Sequence, residues 1–465
     1  MERLAPAVHD GFGEGVTLRC PHVDGTRRGA VAAGSAAATP SVRRSTGTAG
    51  RARGNASPSP IGGGAAGSLV GARRPADARA RCTLSARGTL AVGLLAVVAL
   101  VGAGCGPDAA TAQDRAPTPP HADLDDGPYL FHKSDGAVVA KWVRDGKVAT
   151  QRFAAGKPIE LPAFAASLSA SLAIVPLEPE PAVWKQPDEM LVVSDVEGRY
   201  DDFLRFLTAN DVVDAKGRWS FGTGHLVCVG DMVDRGTQVT ETLWLLHRLS
   251  REAKAAGGHV HHVLGNHEAM WMGGDVRYVA PKYKQVAELL GVPCEGLVGA
   301  DTELGRWLRT RNAVVRIGTY VFVHGGIAPA VAAAKTDLDA MNTEIRAVLG
   351  VHPQKIADAA ARERVWGRSS PLWYRGYFAQ FARDFGRTPT TDELDRMLEN
   401  LGAKTIVVGH TKVRAVTPIF GGRVIAIDIP WTNPGDVRAL LVRKNSVQVT
   451  DIRGHATPLR LPSRK

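Results

Sequence analysis

Cysteine is scarce in this chain of 465 residues. Of its five cysteines, Cys20, Cys82 and Cys105 fall in the first 105 residues, and only Cys228 and Cys294 lie beyond them. Two isolated thiols imply no disulfide framework for the body of the protein. Cys228 sits in an apolar run, where a buried thiol is the ordinary expectation. Lysine is missing from residues 1–90, which hold 13 Arg against 5 Asp or Glu, a net +8 of the whole chain's +11. The pI of about 9.6 therefore describes the head and not the body, and no nucleic-acid partner is expected. Apolar periodicity is nearly absent from the same Ala/Gly/Arg-rich head, which cannot bury enough surface to offset its chain entropy. Residues 1–85 are expected to be disordered, or to be upstream sequence translated from a misplaced start.

A long apolar span is also lacking near the N-terminus. The uncharged run from Leu90 to Gly104 has 15 residues, short for a bilayer-spanning helix but suited to a secretory signal. Small residues before Cys105 resemble a bacterial lipoprotein cleavage site, although Gly102 stands where a larger aliphatic residue is usual. An ordinary signal peptide or a short anchor over 86–105 is the alternative. Each option exports the remainder to the cell envelope or periplasm, with membrane contact only through a lipid on Cys105. Residues 106–127 are Pro- and Ala-rich and polar, and are expected to be a linker.

A small β-rich extension is expected over 128–188. Runs at 129–133, 137–143 and 147–153 are separated by Asp135-Gly136 and Asp145-Gly146, and Asp-Gly between such runs signals hairpins. Residues 156–188 are Pro-rich and apolar, and are expected to wrap onto the main domain. From 189 onward short apolar runs alternate with helical stretches, which indicates an α/β sheet system. The runs lie at 190–194, 225–230, 260–265, 320–324, 405–410 and 424–428. Helices are expected at 201–208, 239–256, 284–290, 303–310 and 391–400.

The first five runs end at Asp195, Asp231, Asn266, His324 and His410. Ligands in open α/β sheets bind outside the carboxyl ends of strands. One such residue alone reads as a turn residue or helix cap. Five in succession, several flanked by glycine, point to metal ligands along one edge. His225, His259, His261 and His262 lack that glycine pattern and read as ordinary strand or edge residues. His247, inside an expected helix, reads as structural.

In order the fragments are Ser194-Asp195-Val196-Glu197-Gly198, Gly230-Asp231-Met232-Val233-Asp234-Arg235-Gly236, Gly265-Asn266-His267-Glu268, His324-Gly325-Gly326 and Gly409-His410-Thr411. This set resembles the phosphoprotein-phosphatase branch of the calcineurin-like metallophosphoesterases. Glu303–Arg309 and Ser370–Tyr377 are similar to bacterial Shewanella-like protein phosphatases. The resemblance implies a two-layered β-sandwich flanked by helices, with a catalytic domain over 189–465. It implies two divalent metal ions, Asp195 and Glu197 on the first, Asn266, His324 and His410 on the second, and Asp231 bridging. A metal-bridging hydroxide would attack phosphorus. His267 is the expected general acid, oriented by Asp234. Arg235 is the expected phosphate clamp, with Asn266 and Arg375 also on the phosphate. For Arg375, a surface arginine in a loop is an equal alternative.

One departure stands out: the family pattern is Asp-x-His-Gly, and this sequence has Glu197 in place of the histidine. A hard anionic ligand there would favour Mn²⁺, with Mg²⁺, Fe or Zn²⁺ as the other options. Glu197 pointing away from the metal is the alternative. The expected substrate is a phosphorylated protein, at Ser/Thr or Tyr. Nucleotides and other small phosphoesters are a second reading. A degenerate, non-catalytic metal- or phosphate-binding protein is a third.

Overall fold

The computed structural model describes residues 123–160, 171–172, 174–333, 335–444 and 446–462. The expected disordered head, the export signal with Cys105, and residues 106–122 of the linker lie outside the described residues.

Three antiparallel strands, β1 (Asp126–His132), β2 (Val138–Arg144) and β3 (Lys147–Phe153), form the expected meander. At the second turn Asp145 and Gly146 have φ of 48° and 68°, the left-handed pair that a two-residue hairpin turn needs. The linker ends earlier than expected, because β1 already begins at Asp126. That residue is buried. Its carboxylate lies 2.8 Å from Lys282 Nζ and accepts from Thr240 Oγ1 at 3.1 Å. An acid in a polar run gave no sign of these distant partners.

Short β4 (Ile159–Glu160) and β5 (Ser171–Leu172) pair with each other, and β6 (Val183–Trp184) joins a main sheet. The end of the 156–188 segment thus joins the body through β6, while residues 161–170 and 173 lie outside the described residues. Eleven further strands follow among the described residues. They are β7 (Glu189–Val193), β8 (His225–Val229), β9 (His259–Val263), β10 (Val314–Ile317), β11 (Tyr320–Val323) and β12 (Thr405–Val408). The last are β13 (Thr417–Ile419), β14 (Val424–Ala426), β15 (Arg438–Arg443), β16 (Ser446–Asp451) and β17 (Ala456–Pro458). One sheet runs β17-β16-β15-β7-β8-β9 and the other β13-β14-β12-β11-β10-β6. The central strands are parallel in both: β7, β8 and β9 in the first, β11, β12 and β14 in the second.

Period-two alternation sorts the side chains. Met190 and Val192 of β7 join Val227, Phe322, Val407 and Ile425 in the core shared by the two sheets. Leu191, Val193, Leu226 and Cys228 point the other way, into the larger core under the helices. These helices are α1 (Tyr200–Ala209), α2 (Val239–Ala255), α3 (Asn266–Met272), α4 (Pro281–Leu290) and α5 (Glu303–Leu308). Later come α6 (Leu338–Val348), α7 (Ala359–Trp366), α8 (Ala382–Phe385) and α9 (Thr391–Asn400). Expected helix starts and stops mostly fall within two residues. The exception is α4, which begins three residues early because Pro281 suits the first helical turn.

Candidate active site

All five expected ligand positions lie just past the carboxyl ends of parallel strands, but in two sheets and not one. Asp195, Asp231 and Asn266 follow β7, β8 and β9, while His324 and His410 follow β11 and β12. The cleft therefore sits across one end of the sandwich. Its turns are tight. Asp195, Glu197, Asp231, Asp234, Arg235 and His410 all have positive φ, between 53° and 69°, a conformation rare outside glycine and concentrated at functional sites. The flanking glycines are needed for close approach. A Cβ on Gly265 would collide with the Asp231 backbone and carboxylate, and one on Gly409 with Ser194 and Asp195.

Asp231, His324 and His410 are buried and place one ligand atom each within 4.8 Å of one another. His324 Nδ1 donates to the Val229 carbonyl at 2.8 Å. That bond turns Nε2 toward Asp231 Oδ2 at 3.0 Å and Asn266 Oδ1 at 3.1 Å. Burial disfavours a charge on His324, but the Asp231 carboxylate outweighs it and raises the imidazole to about 10. Asp231 is buried too, yet His324 and His267 hold its carboxyl far below the usual range. Burial, His324 and Arg375 keep His410 neutral. Its Nε2 is buried with no hydrogen-bond partner among the described residues. Asp195 accepts from Ser194 Oγ and from the His410 N–H, the latter at 3.1 Å.

His267 opens α3 beside this group. Its N–H donates to Asp231 Oδ1 at 2.9 Å, and its Nδ1 lies 2.7 Å from Asp234 Oδ2. Burial would lower its pKa, but Asp231 and Asp234 raise it above the ordinary imidazole value. Arg235 Nη2 is 3.1 Å from His267 Nε2, and Arg235 is ion-paired with Glu197. Glu197 thus lines the cleft and faces Arg235. Arg375 also lines it, lying over Phe381 and within 3.4 Å of His410 Nδ1, so it is not a remote surface arginine. The cleft has a volume of about 260 Å³. Both long insertions reach it: Tyr278 packs on His267 and Arg235 from one side, and Gln380 and Phe381 close the other.

Residues 190–414 match the family described as calcineurin-like phosphoesterase. A cold-active protein-tyrosine phosphatase from a psychrophilic Shewanella species has a solved structure matching with TM-score 0.66 and 33% identity. The match covers 72% of this chain and 99% of that one. The chain belongs to the calcineurin-like phosphoesterase family. It is a hydrolase of phosphoesters in the phosphoprotein-phosphatase branch. Shewanella-like protein phosphatase 2 of Arabidopsis thaliana is 25% identical over 291 residues, 53% of this chain and 72% of that protein. A symmetrical bis(5'-nucleosyl)-tetraphosphatase of Methylococcus capsulatus is 35% identical over 139 residues, 30% of this chain and 43% of that protein.

Members of this family depend on two metal ions, and the residues here fit such ions. The cleft gathers carboxylates and neutral imidazole nitrogen, with buried polar atoms on His410 and Asp428 that no described group satisfies. Two residues at the cleft carry roles that their local sequence does not mark. Glu268, quoted in a motif but given no role, is buried and accepts from the N–H groups of Asp231 at 3.0 Å, Met232 at 2.8 Å and Gly265 at 2.8 Å. It ties the β8 and β9 turns together. Asp428, at the end of the sixth run, also lines the cleft. Burial pushes its carboxyl up to about 7, and the Glu197 charge adds to the shift.

The remaining histidines stay outside the cleft. His247 lies 3.3 Å from Glu303, and His262 3.3 Å from Glu268. His225, His259 and His261 cluster around Trp184 at the opposite ends of β8 and β9. Glu180 stands within ligand reach of His259 and His261. Its carboxylate is already paired with Arg311 at 2.5 Å, which accounts for the group as a buried ion-pair network.

Proposed function

We propose that the chain is an exported, divalent-metal-dependent phosphomonoesterase acting on phosphoproteins, phosphotyrosine among its substrates. The observation that carries the reading is His267 braced by Asp234 at 2.7 Å, next to Arg235 and the Asp231–His324–His410 group. Similarity to a protein-tyrosine phosphatase over 99% of its length supports the substrate class.

In this reading Asp231, Asn266, His324 and His410 hold one ion, and Asp195 with Glu197 and Asp231 hold the other. The ions supply Lewis-acid polarisation of the phosphoryl group and an activated water. The chain's own residues do the rest. Arg235 and Arg375 bind phosphate oxygens from two sides, as a guanidinium fork suits them. His267 carries a proton on Nε2 and delivers it to the leaving oxygen, while Asp234 fixes the ring through Nδ1. Glu197 adds a hard oxygen donor, which favours Mn²⁺ over Zn²⁺. Arg235 leaves its ion pair with Glu197 to take the phosphate.

Phosphate release from phosphotyrosyl and phosphoseryl peptides, p-nitrophenyl phosphate and nucleotides, with Mn²⁺, Mg²⁺ or Zn²⁺ added, tests this. Turnover of the phosphopeptides with Mn²⁺ supports the reading. Turnover confined to nucleotides would favour a small-phosphoester hydrolase, a second reading favoured by the likeness to the tetraphosphatase. No turnover despite bound metal would favour a binding protein. Export rests on the 90–104 run and Cys105. Cell fractionation of wild type and Cys105→Ser tests it: a membrane-bound wild type and a released variant support a lipid anchor.

A further inference from the structure

We propose that Asp428 is a carboxylate ligand of the divalent cation on the Asp195–Glu197 side of the cleft, making that position an all-oxygen site. The proposal rests on the metal-dependent reading above and adds to it a residue that the motif set does not contain.

Asp428 comes from β14, the parallel neighbour of β12. The pairing continues past the strand ends, with Ile427 N–H donating to Val408 O at 2.9 Å and Val413 N–H to Asp428 O at 2.8 Å. These bonds pin Asp428 beside the turn that carries His410. It thus ends a sixth parallel strand at the same rim as the five motif residues. The side chain lines the cleft together with Asp195, Glu197 and Asp231.

The residue is only 1% exposed. Neither carboxylate oxygen has a hydrogen-bond or ion-pair partner among the described residues. A buried carboxylate without a donor or cation is expensive, and such groups are normally paired or coordinate a metal. The nearby protein cations do not fill that need. Arg375 is engaged with Thr411 and His410, at 3.3 and 3.4 Å, and Lys412 is exposed.

The donor chemistry explains the departure at Glu197. Replacing a neutral imidazole by a carboxylate adds a negative charge to the site. Asp428 adds another, and the four carboxylates Asp195, Glu197, Asp231 and Asp428 then form a hard, anionic set. Such a set suits Mn²⁺ or Mg²⁺ and not a softer ion. The second position keeps its Asn and His donors and stays more permissive.

Mn²⁺ binding to the full chain, followed by calorimetry and by electron paramagnetic resonance of free Mn²⁺, tests the proposal without reference to turnover. Wild type should bind about two ions. Asp428→Asn should weaken one of them by at least about tenfold and leave the other unchanged. Asp428→Cys should shift the weakened position toward Cd²⁺ and give a thiolate-to-Cd²⁺ charge-transfer band, which a merely packed side chain would not produce. Two wild-type Mn²⁺ affinities in Asp428→Asn, or no Cd²⁺–thiolate band in a folded Asp428→Cys, would overturn the assignment and leave the hydrolase reading intact. No Mn²⁺ bound by wild type would overturn both.

Discussion

His267 concentrates the chemistry at the residue scale. Its ring is fixed on one nitrogen by Asp234 and faces the cleft with the other. A group that only donates a proton to the leaving oxygen matters most when that oxygen is basic. His267→Ala should therefore lower kcat on alkyl phosphates by about 10²–10⁴ and on p-nitrophenyl phosphate by much less. Equal losses on both substrates would assign it another role. Arg235 makes a different prediction, because a lysine keeps the charge but loses the fork. Arg235→Lys should raise KM for phosphoesters about tenfold, roughly 1–2 kcal/mol of binding. Steady-state kinetics with the Glu197 pair intact and in Glu197→Gln check this. Removing the Glu197 charge frees Arg235, so the penalty on KM should change with it.

These residues differ in how readily sequence disclosed them. Asp195, Asp231, Asn266, His324 and His410 were legible because strand run, turn and glycine recur together. At Gly230, Gly265 and Gly409 a Cβ would strike His324, Asp231 and Asp195 respectively. Asp428 carries no such mark. It lies in Ile425-Ala426-Ile427-Asp428-Ile429-Pro430 with no glycine beside it, and only the three-dimensional edge shows what it faces. Glu268 was hidden for another reason. Besides the local Gly265 N–H, its partners are the Met232 and Asp231 N–H groups 36 and 37 residues away, which no local pattern reports.

Among the elements, the meander is tied to the catalytic body through two buried acids, Asp126 of β1 and Glu303 of α5. Glu303 at the start of α5 lies 2.7 Å from His132 of β1 and 3.3 Å from His247 of α2. Burial alone would raise its pKa, but the two histidines hold it at about 2, below the ordinary 4.5. A depressed carboxyl stabilises the fold fully above its unfolded value and loses that contribution as pH falls. The contribution should therefore fade from about pH 4.5 toward 2. Thermal melts across that range should show a steeper decline for wild type than for Glu303→Gln. At neutral pH the variant should lose roughly 1–3 kcal/mol. A flat, unchanged profile would remove Glu303 as a tie. Sequence marked α9 well, since Thr390 and Glu393 form a capping box. It missed α3, because Gly265-Asn266-His267-Glu268 reads as a strand end although it also opens a helix. Nor does it mark α6 and α7, which fall inside a single long insertion.

At the scale of the whole molecule, two sheets each deliver parallel strand ends to one rim, and the long insertions wall the cleft above it. The rim was legible as a series of run endings, whereas its division between two sheets was not, because the order β7-β8-β9 and β14-β12-β11 depends on long-range pairing. In the proposed function this rim hydrolyses phosphoesters through bound divalent ions. Stripping the full chain of metal and titrating Mn²⁺ back while following phosphate release from a phosphotyrosyl peptide tests it most directly. Negligible release without metal, rising with Mn²⁺ to a plateau as about two ions bind, is the expected result. Undiminished release from the stripped chain, or none at any Mn²⁺ concentration, would contradict it.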